Sequence, residues 1–203
     1  MPEPERLGRG DVDAVAALLA RAFADDPVLT FLLGTGRERE RRLIFGALCR
    51  DVERAGLIEG VRAEGRLAAV AVWLPPAAHP VPLRREARMV PSWVRLATMH
   101  ARAIPRLLRA TPALDRLHPR EPHWFLSLLG TEPALQGGGL GAALVEPGVR
   151  RAEAEGMMVH LDTGVPKNVV WYRRFGFEVA DEVQLVPGAP PSWGMRTPSP
   201  RLR

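Results

Sequence analysis

Between Gln136 and Gly141 the chain reads Gln-Gly-Gly-Gly-Leu-Gly, followed by Ala142 and an apolar-periodic run that predicts a helix from about Leu140 to Glu155. Consecutive glycines leave backbone N–H groups without side-chain cover, and the first turn of a helix has no internal acceptors for its donors. With the partial positive charge of a helix N-terminus, these amides would cradle a phosphate or pyrophosphate. On these residues alone, a tight strand-to-helix connection is an equal reading. A Walker-type loop, GxxxxGK[ST], would need a lysine directly after a glycine, and none follows here. The dinucleotide fingerprint GxGxxG is met only in loose form, by Gly137, Gly139 and Ala142. That fingerprint belongs at the start of a βαβ domain, whereas this loop lies two thirds along the chain.

The surrounding elements follow from spacing. Apolar residues over Asp11 to Ala24 predict an amphipathic helix with Asp11 at its N-cap, ended by Asp25-Asp26-Pro27 because Pro27 disfavours helical geometry at Asp26. A second helix is predicted over about Arg37 to Arg54, stopping at Gly56, and an antiparallel hairpin over Leu57–Ala63 and Arg66–Leu74 around Glu64-Gly65. Residues 75–121 contain eight prolines, yet Trp93, Leu96, Ala97, His100, Ile104, Leu107 and Leu108 keep helical spacing. They predict broken helices, with Pro91 and Pro105 near helix starts or kinks. From His123 the order is strand (123–131), glycine loop, helix, strand (158–163), short helix (168–175) and strand (178–186). Pro147-Gly148 is expected to kink the helix after the loop. Trp193–Arg196 is expected as a last edge strand, and 197–203 as a frayed tail.

Composition narrows the function classes. The 203 residues carry 28 Lys and Arg against 23 Asp and Glu, a net charge of +5, and the single cysteine, Cys49, excludes an internal disulfide framework or a Cys-rich metal site. The five histidines show no HxxxH spacing, so no metal site is expected. Nine arginines and two acids between His79 and Arg120 give that segment +7 and the remainder −2. The cluster reads either as a patch for an anionic ligand or as the solvated face of amphipathic helices. No apolar run approaches the roughly 20 residues of a membrane span, and the N-terminus has no signal-peptide core. A cytoplasmic protein is expected, with no membrane partner.

Leu129-Gly-Thr-Glu-Pro-Ala-Leu-Gln-Gly-Gly-Gly-Leu-Gly-Ala142 resembles the acyl-CoA motif of the GNAT N-acetyltransferases, Q/R-x-x-G-x-G/A preceded by a strand and a proline. Asn168-Val-Val-Trp-Tyr-Arg-Arg-Phe-Gly-Phe177 resembles the superfamily's later FY-x-x-x-GF signature, with Trp171 in the Phe slot. Two motifs in the right order, joined by a helix and a strand of the expected length, are more specific than either alone. The resemblance covers 123–196 firmly and 5–74 more softly. It implies a single α/β (α+β) domain with a mixed, mostly antiparallel sheet of six to seven strands flanked by helices, and 75–121 as an insertion before the fourth strand.

The resemblance also implies roles. Strand 123–131 would splay from the next strand, so that backbone groups of Leu129, Gly130 and Thr131 accompany the pantetheine arm of acetyl-CoA. The N–H groups of Gly137, Gly138, Gly139, Leu140, Gly141 and Ala142 would hold its pyrophosphate, and Gln136 would also belong to the cofactor site. An amine would attack the thioester directly, and Tyr172, the only tyrosine, would protonate the departing thiolate, since a phenol with reference pKa near 10 stays protonated at neutral pH. The slot seven residues before Tyr172, often an Asn that touches the cofactor, is Val165; Asn168 either replaces it or caps the helix. Gly138 stands where many relatives carry Arg. Asp25 and Asp26 lie where the family admits its acceptor, and either engage the amine or only end a helix. No general base is assigned, Glu132 reading as a turn acid and His123 as a strand-edge residue. The expected activity is acetyl transfer from acetyl-CoA to a primary amine of a small molecule, with a non-catalytic acyl-CoA sensor as the alternative. No nucleic-acid partner is expected, and a homodimer is.

Overall fold

The computed structural model describes residues 3–78 and 82–199; positions 79–81 of the expected insertion and 200–203 of the expected tail lie outside them. Seven strands form one sheet: β1 (Glu5–Arg6), β2 (Leu57–Ala63), β3 (Arg66–Leu74), β4 (His123–Thr131), β5 (Met158–Thr163), β6 (Glu178–Gln184) and β7 (Pro191–Arg196). Their spatial order is β1-β2-β3-β4-β5-β7-β6, antiparallel except between β4 and β5. The β2–β3 hairpin turns through Glu64 and Gly65, both left-handed, with φ of 50° and 75°.

Helices cover both faces of the sheet, which is why β3 reads as a nearly unbroken apolar run. Ala69, Ala71 and Trp73 pack towards α6 (Leu140–Ala154), while Val70, Val72 and Leu74 pack towards α1 (Val12–Ala22) and α3 (Glu38–Ala55). A Cβ on Gly148 would lie 2.2 Å from Cζ2 of Trp73, so this glycine lets α6 sit directly on the indole. The Pro147-Gly148 pair does not break the helix, which is continuous from Leu140 to Ala154. Gly130 does the same for β4: a Cβ there would meet Leu19 of α1 at 2.9 Å.

Four expectations change. Asp26-Pro27, expected to end α1, also begins a helix, α2 (Pro27–Leu33), in which the Asp26 carboxylate accepts the Leu29 amide at 2.8 Å and Pro27 holds the first helical position. Asp11 sits at the cap position of α1, but its carboxylate accepts the Gly8 amide at 3.1 Å instead of capping the helix. The final strand is not at the edge: β7 lies between β5 and β6, leaving the acidic β6 outermost. Thr197 is buried, its amide and hydroxyl bonded to Val159 at 2.9 Å each, so fraying does not begin there.

The insertion is two helices, α4 (Leu83–His100), which runs through Pro91, and α5 (Ala103–Leu117), with Pro105 in its first turn. Leu96 is fully buried, whereas Trp93 and Leu108, predicted on the same apolar face, are exposed. Eight of the nine arginines are exposed, the solvated-face reading. The ninth, Arg85, is buried and grips Asp51 of α3 through Nε and Nη2 at 2.6–3.1 Å while donating to the Ala78 carbonyl at 2.9 Å. That ion pair anchors α4 to the body of the domain.

Candidate active site

The site begins where two parallel strands part. β4 and β5 pair from His123↔Met158 to Leu126↔Leu161; beyond that point β4 remains paired with β3 as far as Thr131↔Ala69, while its other edge has no neighbouring strand among the described residues. The Glu132 amide donates to Ala68 O at 2.8 Å, which sets the phase of the alternation. Gly130 therefore also faces β3, and the backbone groups of Leu129 and Thr131 face the open edge. There the Thr131 carbonyl accepts Nε2 of Gln136 at 3.4 Å.

The open edge leads into the glycine loop. Gly137 and Gly139 take left-handed φ of 85° and 80°, and Gly139 is the N-cap of α6. The first amide bonded inside α6 is that of Ala143, which donates to Gly139 O at 3.1 Å. Those of Leu140, Gly141 and Ala142 have no acceptor within the helix. The Gly138 amide turns back to Leu135 O at 3.4 Å, so it is not aimed with the others. Trp171, on α7 (Pro166–Arg173), closes over the cradle: a Cβ on Gly141 would stand 3.4 Å from its ring.

A cleft of about 150 Å³ opens between the parted strands, its wall including Ser127 and Leu129 of β4, Asp162 and Thr163 of β5, Asn168 and Tyr172 of α7, and Asp26. Leu114 brings α5 of the insertion to the same wall. Tyr172 is buried against Trp171 and Phe177, with ring centroids 4.9 and 5.6 Å away, and burial pushes its phenol above the ordinary value. Burial likewise pushes the Asp26 carboxyl up, opposed by the backbone amides of Leu29 and Val28. Val28 packs on the β5–α7 loop so closely that a Cβ on Gly164 would lie 2.3 Å from it, which fixes Asp26 relative to β5.

The sequence model of the Acetyltransferase (GNAT) family matches residues 37–177. The chain belongs to the GNAT acetyltransferase family. An uncharacterized N-acetyltransferase of Schizosaccharomyces pombe is 26% identical over 190 residues, covering 89% of this chain and 76% of that protein. Among solved structures, a histone acetyltransferase and related acetyltransferase from Corynebacterium glutamicum superposes with a TM-score of 0.70 at 22% identity, covering 98% of this chain and 96% of the other. The polyamine N-acetyltransferase of Drosophila melanogaster, which forms N-acetylagmatine, superposes with a TM-score of 0.55 at 15% identity, covering 95% and 97%. These structural likenesses establish the shared fold.

Within this GNAT domain the two sequence motifs converge. Leu129, Thr131 and the loop from Gln136 to Ala142 form one continuous backbone rim, and Asn168 and Tyr172 stand in the cleft beside it. The two adjacent aspartates separate, Asp26 lining the cleft and Asp25 lying exposed outside its wall. Asn168 does not cap α7, which starts at Pro166 with Val165 as N-cap; its Nδ2 lies 3.5 Å from Thr163 Oγ1. Glu132 is locked by Arg21 of α1, with Nε to Oε1 at 2.9 Å and Nη2 to Oε2 at 2.7 Å. This pair holds the Glu132 carboxyl below its usual range and removes it from acid–base work. His123, the first residue of β4, is buried, with Nδ1 2.7 Å from the Glu121 carbonyl. Asp162 was missed by sequence reasoning, although an acid within the apolar strand Met158–Thr163 is a signal.

Proposed function

We propose that this GNAT domain transfers an acetyl group from acetyl-CoA to the primary amine of a small molecule. The observation that carries the reading is the unpaired edge of β4 running directly into the unbonded amides at the start of α6. An extended amide-bearing arm suits the first and a pyrophosphate the second, and CoA contains both in that order. Leu129 and Thr131 would bond the arm as a neighbouring strand does. The amides of Gly137, Gly139, Leu140, Gly141 and Ala142 would receive the pyrophosphate, aided by the helix dipole. Acetyl-CoA supplies the activated acyl group.

The amine nitrogen attacks the thioester carbonyl carbon, so the C–N bond forms and the C–S bond breaks. Tyr172 gives its phenolic proton to the departing sulfur, and Asp26 takes the proton lost by nitrogen; exchange with solvent restores both. Burial makes the phenol a weaker acid, but desolvation raises the basicity of the thiolate in the same direction, which keeps donor and acceptor matched. The acidic wall supplied by Asp26 favours a cationic amine, and the small volume of the cleft, about 150 Å³, favours a small one.

The test is release of free thiol from acetyl-CoA across a panel of primary amines, with Tyr172→Phe alongside. Turnover with at least one amine is expected, and the variant should lose roughly 10²-fold or more in kcat with little change in the KM for acetyl-CoA. Thermal stabilisation by CoA with no turnover across a broad panel would make the domain an acyl-CoA sensor instead.

A further inference from the structure

We propose that His118, His160 and Asp162 bind a divalent metal ion of the zinc type at the junction of the insertion and the sheet. The three residues come from two distant parts of the chain: His118 closes α5, and His160 and Asp162 lie two apart on β5, a spacing that puts both on one face of the strand. One donor atom from each lies within 4.8 Å of the other two. Tetrahedral zinc, with bonds of about 2.0–2.1 Å, needs donors about 3.4 Å apart. A shift of roughly 1 Å by the half-buried His118, the C-cap of α5, closes the difference.

A second observation points to a ligand independently. His160 is 1% exposed, yet among the described residues neither ring nitrogen has a hydrogen-bond partner, and neither does the buried Oδ1 of Asp162. Nε2 of His160 stands 3.0 Å from that oxygen without the alignment of a hydrogen bond. A buried ring nitrogen and carboxylate oxygen at that separation, not aligned for a hydrogen bond, suit a shared ion. Buried polar atoms left unpaired are uncommon and call for a missing partner.

The remaining imidazole fixes the tautomer of His118. Nδ1 of His123 meets the Glu121 carbonyl at 2.7 Å, so it carries the proton and leaves Nε2 as an acceptor. Nδ1 of His118 lies 3.4 Å from that Nε2 and donates to it, so Nε2 of His118 is its basic nitrogen. Orientation of a metal-bound imidazole through its other nitrogen is the usual outer-shell arrangement. Two imidazoles and one carboxylate suit zinc or a neighbouring borderline ion, with the fourth position left for water. The sequence showed no ligand spacing because the set is assembled by the fold. The ion would clip α5 to the sheet and set the side chain of Asp162 in the cleft wall.

The experiment uses the full chain stripped with a chelator, then equilibrated with zinc chloride or cobalt chloride. One equivalent of zinc should survive dialysis. At about 100-fold excess over its Kd, zinc should raise Tm by roughly 5–10 °C. Cobalt should give the visible absorption of a tetrahedral nitrogen–oxygen site. His118→Ala and Asp162→Asn should each abolish retention and the Tm shift. Failure of the stripped protein to retain zinc, or retention unchanged in both variants, would overturn the proposal. Neither result depends on acetyl transfer, so the two proposals fail separately.

Discussion

Replacing Gly148 by alanine tests how α6, and with it the anion cradle, is held over the sheet. At an exposed helix interior this change would stabilise the protein by about 1 kcal/mol through helix propensity. Here the new Cβ would stand 2.2 Å from Cζ2, 2.5 Å from Cη2 and 2.8 Å from Cε2 of Trp73, against an ordinary contact of 3.4–4 Å. The indole is fully buried and cannot swing into solvent, so α6 must move away by more than 1 Å. Overpacking of this kind costs about 1–3 kcal/mol, and an overlap with three ring atoms belongs at the upper end. Subtracting the propensity gain leaves a net loss of about 2 kcal/mol, or a fall in Tm of roughly 4–8 °C for a domain of this size. Urea and thermal unfolding followed by circular dichroism measure it. In the Trp73→Phe background, which lacks the benzo-ring atoms in the overlap, Gly148→Ala should cost much less. A Gly148→Ala protein as stable as the parent, or the same loss in both backgrounds, would refute the packing argument.

Three further perturbations probe other parts of the structure. Arg85→Met strands the buried Asp51 carboxylate and should cost about 3–5 kcal/mol by urea denaturation, most of it recovered in Arg85→Met with Asp51→Leu. Burial raises the Asp26 carboxyl pKa, so its contribution to stability is present at low pH and is lost as pH rises through the folded value. Asp26→Asn, which keeps an acceptor for the Leu29 amide, should therefore melt higher than the parent at pH 7, with the gap closing on acidification, and should lose turnover. Because Tyr172 is the only tyrosine, ultraviolet titration reads it alone: the folded protein should show no phenolate at the ordinary value of about 10, and the urea-unfolded protein should titrate there.

What the sequence disclosed follows from how local each feature is. The glycine loop, the hairpin, α3 and α6 are encoded by runs of adjacent residues, and the order of motifs placed β4, α6, β5 and α7 correctly. Features that depend on distant partners were not legible. Asp26-Pro27 serves equally to stop α1 and to start α2, and only the packing of Val28 on Gly164 turns the aspartate into the cleft. Arg85 looked like one of nine surface arginines until Asp51, 34 positions earlier, was found beside it. The insertion of β7 between β5 and β6 leaves no trace in hydrophobic alternation, because both of its edges are paired by strands already counted. His160 is far in sequence from His118 and His123, and the three meet through the end of α5 and the two parallel strands.

The central claim is that the parted strands and the glycine loop form one binding surface for CoA, and a crystal structure of the complex tests it most directly. The account predicts the pantetheine arm bonded to the backbone of Leu129 and Thr131, with the pyrophosphate on the amides between Gly137 and Ala142. The sulfur should lie within hydrogen-bond reach of the Tyr172 hydroxyl. CoA bound away from the open edge of β4, or a sulfur beyond the reach of Tyr172, would contradict it.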